Sequence, residues 1–207
     1  MKTLIIKYLP TGADSKTKKL LDLFLQEIEK QDGGKEVETV DLLKEKIPFF
    51  DENSIQSYYK RNYGGQELTA AEAKLLEQND KLAAQLKSAD IVVMAYPMHN
   101  FGMPALVKGY LDAVNLKGYT FEPGKKMMAG RKVLTLFTAG GIYSEDTFNF
   151  EYPNWNSIIL NTKANFTYMG FDESEVIGTS LRDEKTREER LQEMQGKISA
   201  VVKKWYK

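Results

Sequence analysis

The sequence predicts an α/β fold: one doubly wound, five-stranded parallel sheet with helices on both faces. Three observations carry this. Short strand-like segments near residues 3–8, 37–42, 91–96, 132–138 and 174–180, the second of them alternating in character, are separated by segments whose apolar residues recur at helical spacing. The run Ile91-Val92-Val93-Met94-Ala95-Tyr96 is apolar without interruption, as a strand covered on both faces must be. No repeat, low-complexity tract or linker-like stretch divides the 207 residues, so 1–207 reads as a single domain.

Each element has its own signal. The first strand, Thr-Leu-Ile-Ile-Lys-Tyr at 3–8, gives way to a loop over 9–14 containing Pro10 and Gly12. From about Ser15, Leu20, Phe24, Leu25 and Ile28 share one helical face, and the helix is expected to stop near Gly33-Gly34. Residues 37–42 make the second strand, completing a βαβ unit whose crossover is expected to be right-handed. Over 43–67 the period weakens among aromatics and turn residues (Pro48-Phe49-Phe50, Tyr58-Tyr59, Tyr63-Gly64-Gly65), which reads as a long irregular excursion, either a packed surface loop or a lid. Thr69 with Glu72 resembles a capping box opening a helix to about Ser88, with Leu75, Leu76, Leu82, Ala83 and Leu86 apolar.

The third strand breaks at Pro97, and Pro104 opens a helix over 105–115 with Leu106, Val107, Tyr110, Leu111 and Val114 inward. Residues 118–124 read as a short projecting loop or ribbon. The fourth strand, 132–138, closes on Ala139-Gly140-Gly141; a helix covers roughly 155–168 and the fifth strand 174–180. The last helix, about 184–205, carries Leu191, Met194, Ile198, Val201, Val202 and Trp205 on one face.

Composition removes several function classes. Lys+Arg and Asp+Glu are equal at 29 each, so no net field draws the chain to nucleic acid or an acidic membrane. With no Cys there are no disulfides, no thiolate nucleophile and no Cys-ligated metal, and one His (His99) leaves little for a His metal site or a Ser–His triad. No metal centre is expected. No apolar run approaches the ~20 residues that span a bilayer, and nothing resembles a signal segment, so the expected location is cytoplasmic.

Three loops follow strands one, three and four: 9–17, 97–103 and 138–143. In strand order 2-1-3-4-5 they lie together at the topological switch point, where such sheets bind ligands. The first ends in Ser15-Lys16-Thr17 at a helix start, where hydroxyls and N–H groups can hold a phosphate, or where Ser15 or Asp14 can simply cap the helix. The second, Met98-His99-Asn100-Phe101-Gly102-Met103, is apolar and aromatic with one amide, which suits a flat, partly polar ring. The third, Thr138-Ala139-Gly140-Gly141, lets backbone approach a ligand and supplies N–H donors. Neither a G-x-G-x-x-G fingerprint nor a Walker A sequence is present, which disfavours a Rossmann dinucleotide site or a P-loop.

Taken together, Pro97-Met98-His99-Asn100-Phe101 with Pro104, then Gly118-Tyr119-Thr120-Phe121, then Thr138-Ala139-Gly140-Gly141-Ile142, resembles the FMN-dependent NAD(P)H azoreductase/quinone reductase family of flavodoxin-like proteins, from the first strand to the last helix. The resemblance implies a homodimer holding FMN, with NADH or NADPH as electron donor and two-electron, ping-pong reduction of a quinone or azo acceptor. It implies FMN-phosphate contacts from Ser15 and Thr17, and an isoalloxazine bordered by Met98, His99, Asn100 and Phe101, with Thr138, Ala139, Gly140 and Gly141 along its other side. Its catalytic candidates are Tyr143, whose hydroxyl would hold charge on the reduced ring, and His99, chiefly by packing and hydrogen bonding. Phe121 would reach the neighbouring subunit's pocket and stack on substrate. The first loop departs from the family pattern: Tyr8-Leu9-Pro10 stands where members often carry a further Ser, and Thr17 replaces a usual Ser. The alternatives are a flavodoxin-type single-electron carrier and a flavodoxin-fold protein that has lost FMN.

Overall fold

The computed structural model describes residues 1–31, 36–141 and 157–206. Its five strands are β1 (Lys2–Lys7), β2 (Glu36–Asp41), β3 (Ile91–Pro97), β4 (Lys132–Thr138) and β5 (Glu173–Thr179). They pair in parallel in the order β2-β1-β3-β4-β5, as expected. Because side chains alternate across a strand, the sheet separates two cores. Leu4, Ile6, Val92, Met94, Tyr96, Val133 and Phe137 face one layer, and Ile5, Ile91, Val93, Ala95, Leu134 and Leu136 the other. Ile91 to Tyr96 are all buried, which is what the unbroken apolar run requires of a central strand.

The second core is covered by α1 (Lys16–Glu29) and α6 (Arg187–Trp205), through Leu20, Phe24, Ile28, Met194, Ile198 and Val202. The first lies under α3 (Ala70–Ser88), α4 (Ala105–Val114) and α5 (Ser157–Met169). The expected box opens α3: the Thr69 hydroxyl accepts from Glu72 N, and the Glu72 carboxylate accepts from Thr69 N at 2.7 Å. α1 stops at Glu29 with Lys30 as its cap, short of the end expected near Gly33-Gly34; Gly33, Gly34 and Trp155 lie outside the described residues. Among the described residues, no helix is long and apolar enough to cross a membrane.

Two expectations are corrected. Residues 43–67 are not irregular throughout: α2 (Glu52–Tyr58) runs into a wide π turn at Tyr59–Tyr63. Asp51 and Ser54 cap α2 reciprocally, and the rings of Tyr58, Tyr59 and Tyr63 pack on one another. Residues 118–124 do not project as a whole either. The Leu116 carbonyl accepts from the N–H groups of Tyr119, Thr120 and Phe121, and the buried Thr120 hydroxyl bonds Leu116 N and Val114 O.

Candidate functional site

Three loops meet at the carboxyl ends of β1, β3 and β4, and their contacts can be traced atom by atom. The Tyr8 N–H donates to Ala95 O at 2.9 Å, extending the β1–β3 ladder into the first loop. The Met98 N–H donates to Thr138 O at 2.8 Å, holding the second loop against the third. The Tyr8 and His99 rings pack edge-on with centroids 5.5 Å apart. Beneath them, the Thr17 and Thr138 hydroxyls share a buried 2.7 Å hydrogen bond that ties the start of α1 to the end of β4.

The second loop has an unusual backbone. His99 and Gly102 exchange N–H···O bonds of 3.0 and 2.9 Å, closing a two-residue turn with Asn100 at φ 45° and Phe101 at φ 65°. Tight hairpin turns of the I′ type need positive φ at both central positions, for which Asn-Gly is the preferred pair. Asn100 suits its place; Phe101 does not, because an aromatic residue in the left-handed region is strained. These are the two non-glycine residues at positive φ among the described residues, and both are exposed, Phe101 at 53%. Its carbonyl accepts from the Ser157 hydroxyl at the start of α5. Met98 and Met103 are half-buried and pack on the core below.

The third loop continues the same ledge. The Ala139 N–H donates to Thr179 O, whereas the N–H groups of Gly140 and Gly141, like that of Asn100, have no acceptor among the described residues. A Cβ at Gly140 would meet nothing within 4 Å, so this edge is open. In the first loop, Ser15 caps α1 by accepting from Lys18 N at 3.4 Å and leaves its hydroxyl proton to donate elsewhere.

The structure thus brings Ser15, Met98, His99, Asn100, Phe101, Ala139, Gly140 and Gly141 to one end of the sheet, with Thr17 and Thr138 as the buried brace beneath. Thr17 is fully buried and its hydroxyl is engaged with Thr138. Phe121 is 7% exposed in this chain's own core, its ring 5.1 Å from that of Tyr168. The Phe121 side chain follows the buried Leu116–Thr120 anchor inward, and its contact with Tyr168 on α5 is one that local sequence does not reveal. Tyr143 lies outside the described residues. Sequence reading missed Tyr8 as the ring that seats His99.

The arrangement fits FMN. Apolar walls beside an exposed aromatic, one side-chain amide and unclaimed N–H groups match a tricyclic ring with one polar edge, and the capped start of α1 matches its phosphate. Fold and site define a member of one class: the chain belongs to the family described as flavodoxin-like fold, whose model matches residues 1–202. Within it, the chain is 29% identical over 193 residues to FMN-dependent NADH:quinone oxidoreductase 1 of Bacillus anthracis, covering 88% of this chain and 86% of that protein. It is 30% identical to FMN-dependent NADH:quinone oxidoreductase 2 of Pseudomonas fluorescens, covering 73% and 77%. It also superposes on the FMN-bound crystal structure of an FMN-dependent NADH-azoreductase from Bacillus anthracis with a TM-score of 0.82 at 26% identity, over 98% of this chain and 100% of that one.

Proposed function

We propose that this protein is an FMN-dependent NADH oxidoreductase that reduces quinones and azo compounds, acting as a homodimer by a ping-pong route. The observation that carries the reading is the 99–102 turn, where an amide and an exposed aromatic are held at positive φ at the switch point of the sheet. Backbone strain of this type costs ~1–3 kcal/mol per residue and concentrates at ligand clamps. When bound, FMN supplies a ring that accepts hydride from NADH and passes two electrons to an acceptor.

The chain's own residues hold that ring and its guest. Met98, Phe101 and Met103 give apolar surface, and the Asn100 amide with the Gly140 and Gly141 N–H groups gives donors for a polar edge. Donors fixed in advance by two short loops need no reorganisation when negative charge develops on the ring's polar edge. Ser15 and the amino end of α1 receive the phosphate, where the helix's partial positive charge favours an anion. Thr17 serves this site from below, by locking α1 to β4. His99, seated on Tyr8, fixes the turn. Tyr143 remains the side chain proposed, from sequence, to hold charge near the reduced ring.

The dimer is supported by apolar surface: Phe101, Leu160 and Tyr168 are each more than half exposed, and the last two lie on α5. Sedimentation at the monomer mass would remove the dimer from the proposal without touching the chemistry. The chemistry is tested by steady-state oxidation of NADH with a small quinone at several fixed quinone concentrations. Parallel double-reciprocal lines that require FMN are the expected result; no turnover with either a quinone or an azo dye would overturn it.

A further inference from the structure

Beside the Gly140-Gly141 turn a second cleft opens, about 490 Å³ in volume, lined by Gly140, Gly141, Ser180, Arg182, Asp183 and Arg190. Its walls come from the loop after β4, the loop after β5 and the first turn of α6. The Ser180 hydroxyl donates to Gly140 O at 3.1 Å, tying the first two walls, and one Arg190 Nη donates to Ser180 O at 3.2 Å, anchoring that guanidinium. A guanidinium has five N–H donors, so most of those on Arg190 remain for a ligand. Arg182 is exposed and has no acceptor among the described residues.

The charges decide what this cleft takes. Among the described residues, no carboxylate lies within 4 Å of either Arg182 or Arg190. Asp183, the acid in the lining, accepts from Lys185 N at 3.0 Å and from the Thr186 hydroxyl at 3.3 Å, closing the turn that leads into α6. Glu184 pairs with Arg187. The lining therefore carries two arginines against one aspartate. Paired guanidiniums are a phosphate-type anion site.

We propose that this cleft holds the phosphate groups of the nicotinamide dinucleotide, so that Arg182 and Arg190 set the affinity for the electron donor. The inference rests on the redox reading above. A ligand that reaches both the flavin loops and this cleft must carry a flat ring at one end and oxyanions a short linker away, because Gly140 and Gly141 belong to both. A dinucleotide has that form. A sulfonated azo acceptor offers related oxyanion chemistry, and the experiment separates the two.

The test uses the FMN-loaded protein and an Arg182→Ala/Arg190→Ala variant, with NADH, with the phosphate-free donor 1-benzyl-1,4-dihydronicotinamide, and with calorimetric titration of ADP. The expected result is a rise of about tenfold or more in KM for NADH at unchanged kcat. Turnover of the benzyl donor stays unchanged, and ADP binding is present in the wild type and lost in the variant; Arg182→Lys/Arg190→Lys restores part of both. Equal losses with both donors, or no ADP binding by the wild type, would overturn the proposal. So would a rise in KM for a sulfonated dye with none for NADH. Failure of the wild type to oxidise either donor would instead strike the redox reading, and the ADP titration would still report on the cleft.

Discussion

Phe101 sits in a backbone conformation that its side chain disfavours, on a surface where burial gives little in return. A residue kept there against its preference is a candidate for function, and stability and binding should then respond in opposite directions. Phe101→Gly is expected to raise thermal stability by about 1 kcal/mol, roughly 2–4 °C for a domain of this size, while FMN dissociates more readily. A melting scan and a flavin-release assay on the same variant check both halves. Thr17 makes the complementary case, a buried hydroxyl whose partner is another buried hydroxyl. Thr17→Val strands the Thr138 hydroxyl and is expected to cost about 1–3 kcal/mol. Thr17→Ser should cost much less, and adding Thr138→Val to Thr17→Val should recover part of the loss in denaturant titrations. Additive losses would mean that the two hydroxyls are not coupled.

At the scale of elements, the start of α3 is the best-defined junction. Hydrogen bonds from Lys60, and after them those from the Thr69 N–H and hydroxyl, hold the Glu72 carboxyl down at about 2, below its ordinary 4.5. A carboxyl whose folded value is depressed stabilises the fold above about pH 4.5 and loses that contribution as pH falls toward 2. Glu72→Gln, which can keep the reciprocal cap but not the charge, is expected to flatten the stability curve across that window, as measured by denaturant titrations at stepped pH. The Thr69–Glu72 box was legible because its whole signal lies within four residues. The 43–67 segment was not, because its order is made at long range. The Tyr58 hydroxyl accepts from Lys117 N, Arg61 pairs with Asp80 and Asn62 reaches Lys117 O, none of which a local window contains. Burial pushes the Tyr58 phenol up to about 12, consistent with that enclosed position. The inward course of Phe121 was hidden for the same reason: Gly118-Tyr119 is a turn signal, but the Phe121 ring packs against Tyr168 on α5.

For the molecule as a whole, the sheet was readable because β1, β3 and β4, covered on both faces, leave apolar runs, while the edge strands β2 and β5 were placed by their spacing between helical segments, and every strand boundary falls within one residue of expectation. The strand order decides which loops can meet. With β3 between β1 and β4, residues more than 120 apart in sequence, such as Thr17 and Thr138, come within one hydrogen bond. The strained 99–102 turn was not readable, since nothing in Asn-Phe announces two positive φ angles; only its composition hinted at a ring. The cleft carrying Arg182 and Arg190 was likewise invisible, because it needs three loop ends side by side. On this account the ends of β1, β3 and β4 together clasp FMN and expose it to NADH. The most direct test is the visible spectrum of the purified protein, supplemented with FMN and monitored anaerobically as NADH and then a quinone are added. Bound flavin whose colour bleaches with NADH and returns with quinone is the predicted result; a protein that takes up no FMN, or whose bound flavin stays oxidised under NADH, would contradict it.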